Sequence, residues 1–155
     1  MSKEYFNKFG NPYEKKFINT LILWDVPAEL EVGAIPNKIY CHPIFKERME
    51  NVLREIKDLN LGGLIKTYDG CYNPRAIRGY EMLLRKAISS NNAELIIKYT
   101  STHAWALAID LNAFENGLNK TPKIDKRIVN IFKKHGFRWG GDFKRLDGMH
   151  FEVIL

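Results

Sequence analysis

The sequence predicts an α+β fold, with a small antiparallel β-sheet flanked by helices. Two patterns point to it: segments with apolar residues at helical spacing interleave irregularly with short segments that alternate apolar and polar residues. The length of 155 residues and a composition of 45% hydrophobic and 27% charged residues suit one domain with its own core. We therefore expect a single, monomeric domain over residues 1–155, with residues 1–20 as a polar arm laid on its body.

The first half of the chain contains one strongly periodic helix. It starts at Pro43, a residue suited to the first helical turn, and Gly62-Gly63 is a typical stop signal. The predicted elements of this half are a loop-rich entry around Pro27 and Pro36, a strand at 38–41, a helix from Pro43 to about Leu59, a strand at 64–68 and a loop at 69–75.

The second half alternates short helices and strands. Thr121 and Pro122 resemble the cap and first residue of a helix that Gly136 ends. The predicted elements are a helix at 80–88, a strand at 95–99, a strand at 106–111, a helix from Pro122 to Lys134 and a strand at 149–155.

The charge balance limits the class of partner. The formal net charge of +6 favours a polyanionic partner such as nucleic acid, an anionic lipid surface or an anionic cell wall. Lysine and arginine are spread along the chain together with the acids, so a nucleic-acid partner is disfavoured. No apolar stretch is long enough for a transmembrane helix, and the N-terminus lacks the pattern of a secretory signal peptide.

Two of the four histidines and both cysteines fit ordinary structural roles. His42 lies beside a proline in a loop, and His135 follows the last predicted helix, where a cation complements the helix dipole. Cys41 and Cys71 are too few for a disulfide scaffold, and we expect two buried thiols, with a single bridge left open.

The other two histidines, His103 and His150, each have an aspartate within a few residues along the chain, Asp110 and Asp147 respectively. In the strand from Ala106, alternation places Ala106, Ala108 and Asp110 on one face, and a turn at His103 would bring its imidazole over that face. Imidazole and carboxylate are good zinc ligands.

The C-terminal strand supplies a second set of polar side chains. Alternation places His150 and Glu152 on one face, and Asp147 bends over His150 across a glycine. Two histidines and one carboxylate leave one position of a tetrahedral zinc ion open for water, beside which Asp147 would be a general base. The alternative is satisfied core histidines and solvated acids.

These residues also carry a resemblance. The chain resembles the M15 family of zinc peptidases in four segments. Three of them are the motif Ser101-x-His103-x-x-Ala106-x-Ala108-x-Asp110, the run Trp139-Gly140-Gly141 and residues 147–152. The fourth, residues 69–79, matches the arginine-bearing segment of the family. The family includes D-alanyl-D-alanine carboxypeptidases, D,D-dipeptidases and the L-alanyl-D-glutamate endopeptidases of phage endolysins. The resemblance implies the fold of the hedgehog and D-Ala-D-Ala peptidases and extends from about Leu23 to the C-terminus.

The resemblance also implies roles for individual residues. One zinc ion would be bound by His103, Asp110 and His150, and Asp147 falls at the position of the catalytic carboxylate. An arginine would face the substrate carbonyl: Arg75 is the first candidate and Arg78 the second, with a salt bridge to Glu81 as the alternative for Arg78. The side chains expected near the metal or the substrate are Ser101, Trp105, Trp139 and Glu152, although core packing is the alternative for both tryptophans.

The implied reaction is hydrolysis of peptidoglycan stem peptides. Two cleavages compete: the L-Ala–D-Glu bond, as in an endolysin, and the terminal D-Ala–D-Ala bond. The compact basic chain without a recognisable signal peptide favours an endolysin-type enzyme, made in the cytoplasm and released to the wall, of phage or bacterial origin. A non-catalytic wall-binding or nucleic-acid-binding protein is the alternative of another class. Two departures from the family are Ala106, where glycine is usual, and a longer segment between Arg78 and Ser101.

Overall fold

The computed structural model describes all residues from Met1 to Leu155. The helices are α1 (Ser2–Phe9), α2 (Lys15–Ile18), α3 (Pro43–Asp58), α4 (Glu81–Ser89), α5 (Ala93–Tyr99), α6 (Ala113–Asn116) and α7 (Lys126–Lys134). The strands are β1 (Ile22–Asp25), β2 (Lys38–Cys41), β3 (Tyr68–Gly70), β4 (Ala108–Leu111), β5 (Phe137–Trp139) and β6 (His150–Val153). None of these helices is both long enough and apolar enough to cross a membrane.

The strands form two antiparallel sheets. Strands β1 and β2 pair as a two-stranded sheet, and the other four strands form a sheet in the order β3-β4-β6-β5. This arrangement confirms the predicted α+β class with a small antiparallel sheet among helices. The strands β1 and β5 were not predicted.

The central strands β4 and β6 divide their side chains between two faces. Ile109, Phe151 and Val153 are fully buried, and Phe132 of helix α7 stacks on Phe151 with ring centroids 4.2 Å apart. Because side chains alternate along a strand, the neighbouring residues of β4 and β6 project from the opposite face. The functional groups discussed below therefore stand on a sheet whose other face is anchored in the core.

The N-terminal segment is more deeply packed than the expected polar arm. Tyr5 is fully buried, and its hydroxyl donates a hydrogen bond to the carbonyl of Val153 in strand β6. The indole of Trp105 donates a hydrogen bond of 3.0 Å to the carbonyl of Gly10. Tyr5 and Phe17 belong to the same apolar core as the sheet, so helices α1 and α2 contribute to that core directly.

The strand predicted at 95–99 is wrong, because these residues form helix α5. The side chain of Asn92 caps this helix by accepting a hydrogen bond of 3.1 Å from the backbone N–H of Leu95. Asn91 has a left-handed φ of 49°, which turns the chain between helices α4 and α5. The apolar run thus buries Ile96 from a helix rather than from a strand.

The strand predicted at 64–68 is displaced towards the C-terminus. Residues Gly62–Leu64 form a 3-10 turn, and β3 begins only at Tyr68. The reason is Asn112, whose side-chain oxygen accepts hydrogen bonds from the backbone N–H groups of Lys66 and Thr67. These groups are therefore not free for a strand ladder.

The last helix starts later than predicted. Helix α7 begins at Lys126, and Asp125 rather than Thr121 caps it. The side-chain oxygen of Asn116 accepts hydrogen bonds from the N–H groups of Lys123 and Ile124, which holds the preceding segment out of the helix.

The strand predicted from Ala106 also starts later, at Ala108. Ala106 adopts a left-handed φ of 54° at the end of the 3-10 turn Thr102–Trp105, so it does not share a strand face with Asp110. Left-handed geometry favours glycine, which gives a conformational reason for the family's preference at this position.

Candidate metal centre

Three buried side chains converge on one face of the four-stranded sheet. His103 comes from the 3-10 turn Thr102–Trp105, Asp110 from β4 and His150 from β6. Asp110 and His150 are direct partners in the β4–β6 register, and His103 arrives from the turn that leads into β4. The three side chains are at most 6% exposed. They form the group of residues in this structure that could hold a metal ion.

The three donor atoms form a nearly equilateral triangle. His103 Nε2 lies 3.1 Å from His150 Nδ1 and 3.1 Å from Asp110 Oδ1, and His150 Nδ1 lies 3.0 Å from Asp110 Oδ1. Ligands held about 2.0–2.1 Å from a tetrahedral ion are about 3.3 Å apart, so the triangle matches one face of such a site.

The outer nitrogens of both imidazoles face acceptors. Nδ1 of His103 donates to the carbonyl oxygen of Cys71 at 2.7 Å, and Nε2 of His150 donates to Oε2 of Glu152 at 3.1 Å. These hydrogen bonds place the remaining lone pair of each ring on the nitrogen that faces the triangle. A set of two imidazole nitrogens and one carboxylate oxygen is a donor set that suits zinc.

The charges around His150 favour a cation. Burial by itself would lower the pKa of His150, but hydrogen bonds to Asp110 and Glu152 outweigh burial and raise this pKa to about 10. Burial would raise the pKa of Glu152, yet contact with His150 and the charge of Arg138 hold it below its usual value. The chain alone therefore retains a proton among these groups, and a divalent cation would replace that positive charge.

Asp147 is held beside the triangle by a tight turn. Its backbone N–H donates to the carbonyl of Gly140 at 3.0 Å, and the indole of Trp139 donates to the carbonyl of Gly148 at 2.9 Å. A Cβ atom on Gly140 would lie 2.3 Å from the carbonyl oxygen of Asp147 and 3.1 Å from Cβ of His150. Glycine at this position thus lets the turn approach the sheet.

The Asp147 carboxyl has a free acceptor oxygen and a raised pKa. Its Oδ1 atom is buried and has no hydrogen-bond partner. Burial raises its pKa above the usual value of an aspartate, and the nearby charge of Asp110 raises it further, against the opposing charges of His150 and Arg75. A carboxylate with a raised pKa is better matched to proton transfer than an ordinary surface aspartate.

Both candidate arginines line the cleft around the triangle. A terminal nitrogen of Arg75 lies 4.0 Å from Oδ2 of Asp110. The backbone of Arg75 is fixed by hydrogen bonds from Ser101 N at 3.0 Å and from the Tyr13 hydroxyl at 3.4 Å. Arg78 is exposed, and the salt bridge to Glu81 that was its alternative does not form within 4.0 Å.

The remaining residues predicted near the metal or the substrate lie in different places. Ser101 lines the cleft, and Glu152 contacts His150 from behind. Trp139 is half-buried and supports the turn of Asp147 from outside the cleft. The placement of Trp105 near the substrate is wrong: it is fully buried and packs edge-on against Tyr5, because the 3-10 turn directs it into the core.

Three contacts at the centre were missed by sequence reasoning. They are the Cys71 carbonyl, the Thr102 hydroxyl 3.3 Å from Nε2 of His150, and an ion pair of 2.9 Å between Arg138 and Glu152. Arg138 faces Glu152 in the β5–β6 register, a signal that only a prediction of β5 would have revealed.

The other histidines and the cysteines have structural roles. His42 caps helix α3 by accepting a hydrogen bond of 3.2 Å from the N–H of Ile44, and His135 lies 2.6 Å from the carboxylate of Glu55. Cys41 and Cys71 are both buried and free.

One comparison with known proteins, against family models, found a match that includes the residues of the triangle. Residues 97–153 match a family model described as D-alanyl-D-alanine carboxypeptidase. The resemblance to the M15 peptidases is thereby confirmed over these residues, and the arginine-bearing segment 69–79 lies outside the matched range. The match covers less than half of the chain, but it includes all three residues of the triangle and Asp147. No curated protein and no solved structure matches the chain significantly. An M15-type match and a buried His-Asp-His cluster together support a metal-dependent peptidase.

Proposed function

We propose that the protein is a zinc-dependent peptidase that hydrolyses stem peptides of peptidoglycan, with the L-Ala–D-Glu bond as its target. The observation that carries the proposal is the triangle of donor atoms with both outer imidazole nitrogens already engaged, next to a carboxyl group with a buried free oxygen. His103, Asp110 and His150 would hold the ion. Bound there, zinc would supply Lewis-acid chemistry, polarising the scissile carbonyl and acidifying the attacking water.

The protein's own residues would carry the proton and orient the substrate. Asp147 would take the proton of the attacking water and pass it to the leaving amine, which its raised pKa favours. Arg75 would donate hydrogen bonds to the carbonyl oxygen as negative charge develops on it. Ser101, on the same wall of the cleft, would add a hydroxyl to the hydrogen bonds that hold the substrate.

The cleft offers space on more than one side of the triangle. One cavity, of about 280 Å³, contains His150 and Asp147, and a second, of about 530 Å³, contains His103 and Asp110. Space therefore extends to both sides of the triangle, and it accommodates the residues on both sides of the scissile bond in either candidate substrate. The second candidate is a D-alanyl-D-alanine carboxypeptidase, which the description of the matching family favours.

Zinc content and hydrolysis measured on the same preparations test the proposal. We expect one zinc ion per chain and release of peptides from purified peptidoglycan. Asp147→Asn should keep the zinc and lower kcat by at least about 100-fold, because it removes the proton acceptor. His150→Ala should lose both zinc and activity.

The matched control is Asp142→Asn, which neutralises an exposed acid in the same loop that pairs with Lys133. This variant should keep full activity. Full hydrolysis by Asp147→Asn would contradict the assigned role of Asp147. Stoichiometric zinc without hydrolysis of any stem peptide would favour a non-catalytic wall-binding protein.

A further inference from the structure

One half of the cleft is rich in arginine. The cavity of about 280 Å³ on the Asp147 side of the triangle is lined by four of them, Arg75, Arg78, Arg138 and Arg145. Arg138 pairs with Glu152 at 2.9 Å, and Arg75 lies 4.0 Å from Asp110. Arg78 and Arg145 have no carboxylate oxygen within 4.0 Å.

The two unpaired arginines lie next to each other. A terminal nitrogen of Arg145 donates a hydrogen bond of 3.3 Å to the backbone carbonyl of Arg78. This contact joins the loop that carries Asp147 to the arginine-bearing segment across the mouth of the cavity. A hydrogen bond from the backbone N–H of Gly79 and, to a lesser extent, the charge of Arg78 lower the pKa of Glu81, but Glu81 makes no ion pair with Arg78.

Two guanidinium groups that form no ion pair and line the same cavity create a positive potential at its mouth. The acids that line the same cavity are Asp147 and Glu152, and Glu152 is engaged by His150 and Arg138. The planar guanidinium fork matches the geometry of a carboxylate. The mouth of the cavity therefore fits an anionic group of a ligand.

We propose that Arg78 and Arg145 bind a free carboxylate on the residue that follows the scissile bond. The inference rests on the proposed function, in which Asp147 passes a proton to the leaving amine, so that this residue lies on the Asp147 side. Both candidate substrates have the required group on the carbon next to the leaving amine. It is the α-carboxylate of D-Glu, free because the stem continues through its γ-carboxyl, or the terminal carboxylate of D-Ala.

Paired synthetic substrates test the assignment and distinguish the two sources. One pair is L-alanyl-D-glutamine and its α-amide, in which the γ-carboxamide represents the continuing stem. The other pair is N-acyl-D-Ala-D-Ala and its C-terminal amide. We expect the zinc-loaded protein to prefer the free acid over the amide by about tenfold or more in kcat/KM within the series that it cleaves, since a hydrogen bond to a charged group contributes that much.

Arg145→Gln should abolish most of this preference, mainly through a higher KM for the acid, and should leave cleavage of the amide unaffected. Arg78→Gln should also reduce the preference. The matched control is Lys144→Gln, which removes the same charge from an exposed neighbour outside the cleft and should keep the preference. An unchanged preference in Arg145→Gln, or equal cleavage of acid and amide by the parent protein, would overturn the inference.

A binding measurement separates this inference from the proposed function. If no substrate is cleaved, the proposed function fails. NMR then compares how D-glutamine and D-alanine bind to the metal-free protein with how their α-amides bind. Binding of the acids that is weakened in Arg145→Gln supports the carboxylate site without the peptidase. If the acids do not bind, or if Arg145→Gln does not weaken their binding, the proposed carboxylate site is contradicted.

Discussion

The substitution Glu152→Gln tests how the metal centre is held together. Glu152 is 3% exposed and accepts the hydrogen bond from Nε2 of His150 at 3.1 Å. Glutamine keeps the size and an acceptor oxygen but loses the charge that strengthens the imidazole as a ligand. Arg138, its ion-pair partner, has a side chain that is 47% exposed and stays solvated. The fold should therefore survive the substitution.

The expected effect is on zinc affinity. Removing a carboxylate behind a ligating histidine typically costs 10–100-fold in metal affinity, about 1.4–2.8 kcal/mol. The assay is competition for zinc with a chromophoric chelator, on protein whose circular dichroism matches that of the parent. A Kd equal to that of the parent would refute the role given to Glu152.

Two controls sharpen this assay. Glu115→Gln neutralises a half-buried glutamate that lies outside the metal centre and pairs with Lys66 at 3.2 Å, and it should leave the zinc Kd unchanged. Cys71→Ala keeps the backbone carbonyl that accepts the hydrogen bond from His103, so it should also retain the affinity. A large loss in Cys71→Ala alone would mean that the thiol, not the carbonyl, supports the site.

Three further predictions concern pH, the N-terminal helix and the Asp147 turn. Burial, assisted by the charge of Lys8, lowers the pKa of His42 from 6.5 to about 4. Between these two pH values the unfolded chain binds more protons than the folded chain. The free energy of unfolding therefore falls as the pH drops from 6.5 to 4. His42→Asn should remove up to about 3 kcal/mol of this loss in urea titrations, and an unchanged pH dependence would refute the assignment. Tyr5→Phe should lower the free energy of unfolding by about 1–2 kcal/mol because it leaves a buried carbonyl of β6 unpaired; no loss would show that this hydrogen bond contributes nothing. Gly140→Ala should cut peptidase activity more than about tenfold by displacing the turn of Asp147, whereas Gly63→Ala, which meets no atom within 4 Å, should not.

The alternation of side chains explains why the centre was predictable from the sequence. Strand periodicity placed Asp110 and His150 on faces opposite to the core residues of β4 and β6, and these strands are neighbours in the sheet. A turn at His103 was the condition for its imidazole to reach this face, and the structure contains that turn.

Three of the errors in the predicted elements have a common physical origin in side chains that bind backbone groups. Asn92, Asn112 and Asn116 each accept hydrogen bonds from main-chain N–H groups, and each overrides the local hydrophobic pattern at a predicted element. The acceptor for His103 is a backbone carbonyl, which no residue type in the sequence identifies.

The long segment between Arg78 and Ser101 also shows where prediction from hydrophobic periodicity fails. Helices α4 and α5 fill it, and their apolar residues divide between the core and the surface, as Ile96 and the exposed Met82 illustrate. Periodicity over so short a stretch did not distinguish a helix from a strand.

Mass spectrometry of purified peptidoglycan digested by the zinc-loaded protein tests the central claim most directly, because product masses identify the bond that is cut. The account predicts soluble stem peptides that begin with D-Glu, produced by the parent protein and absent from the Asp147→Asn digest. Loss of the terminal D-Ala alone would identify the carboxypeptidase instead. A protein that holds one zinc ion and leaves every stem peptide intact would contradict the account.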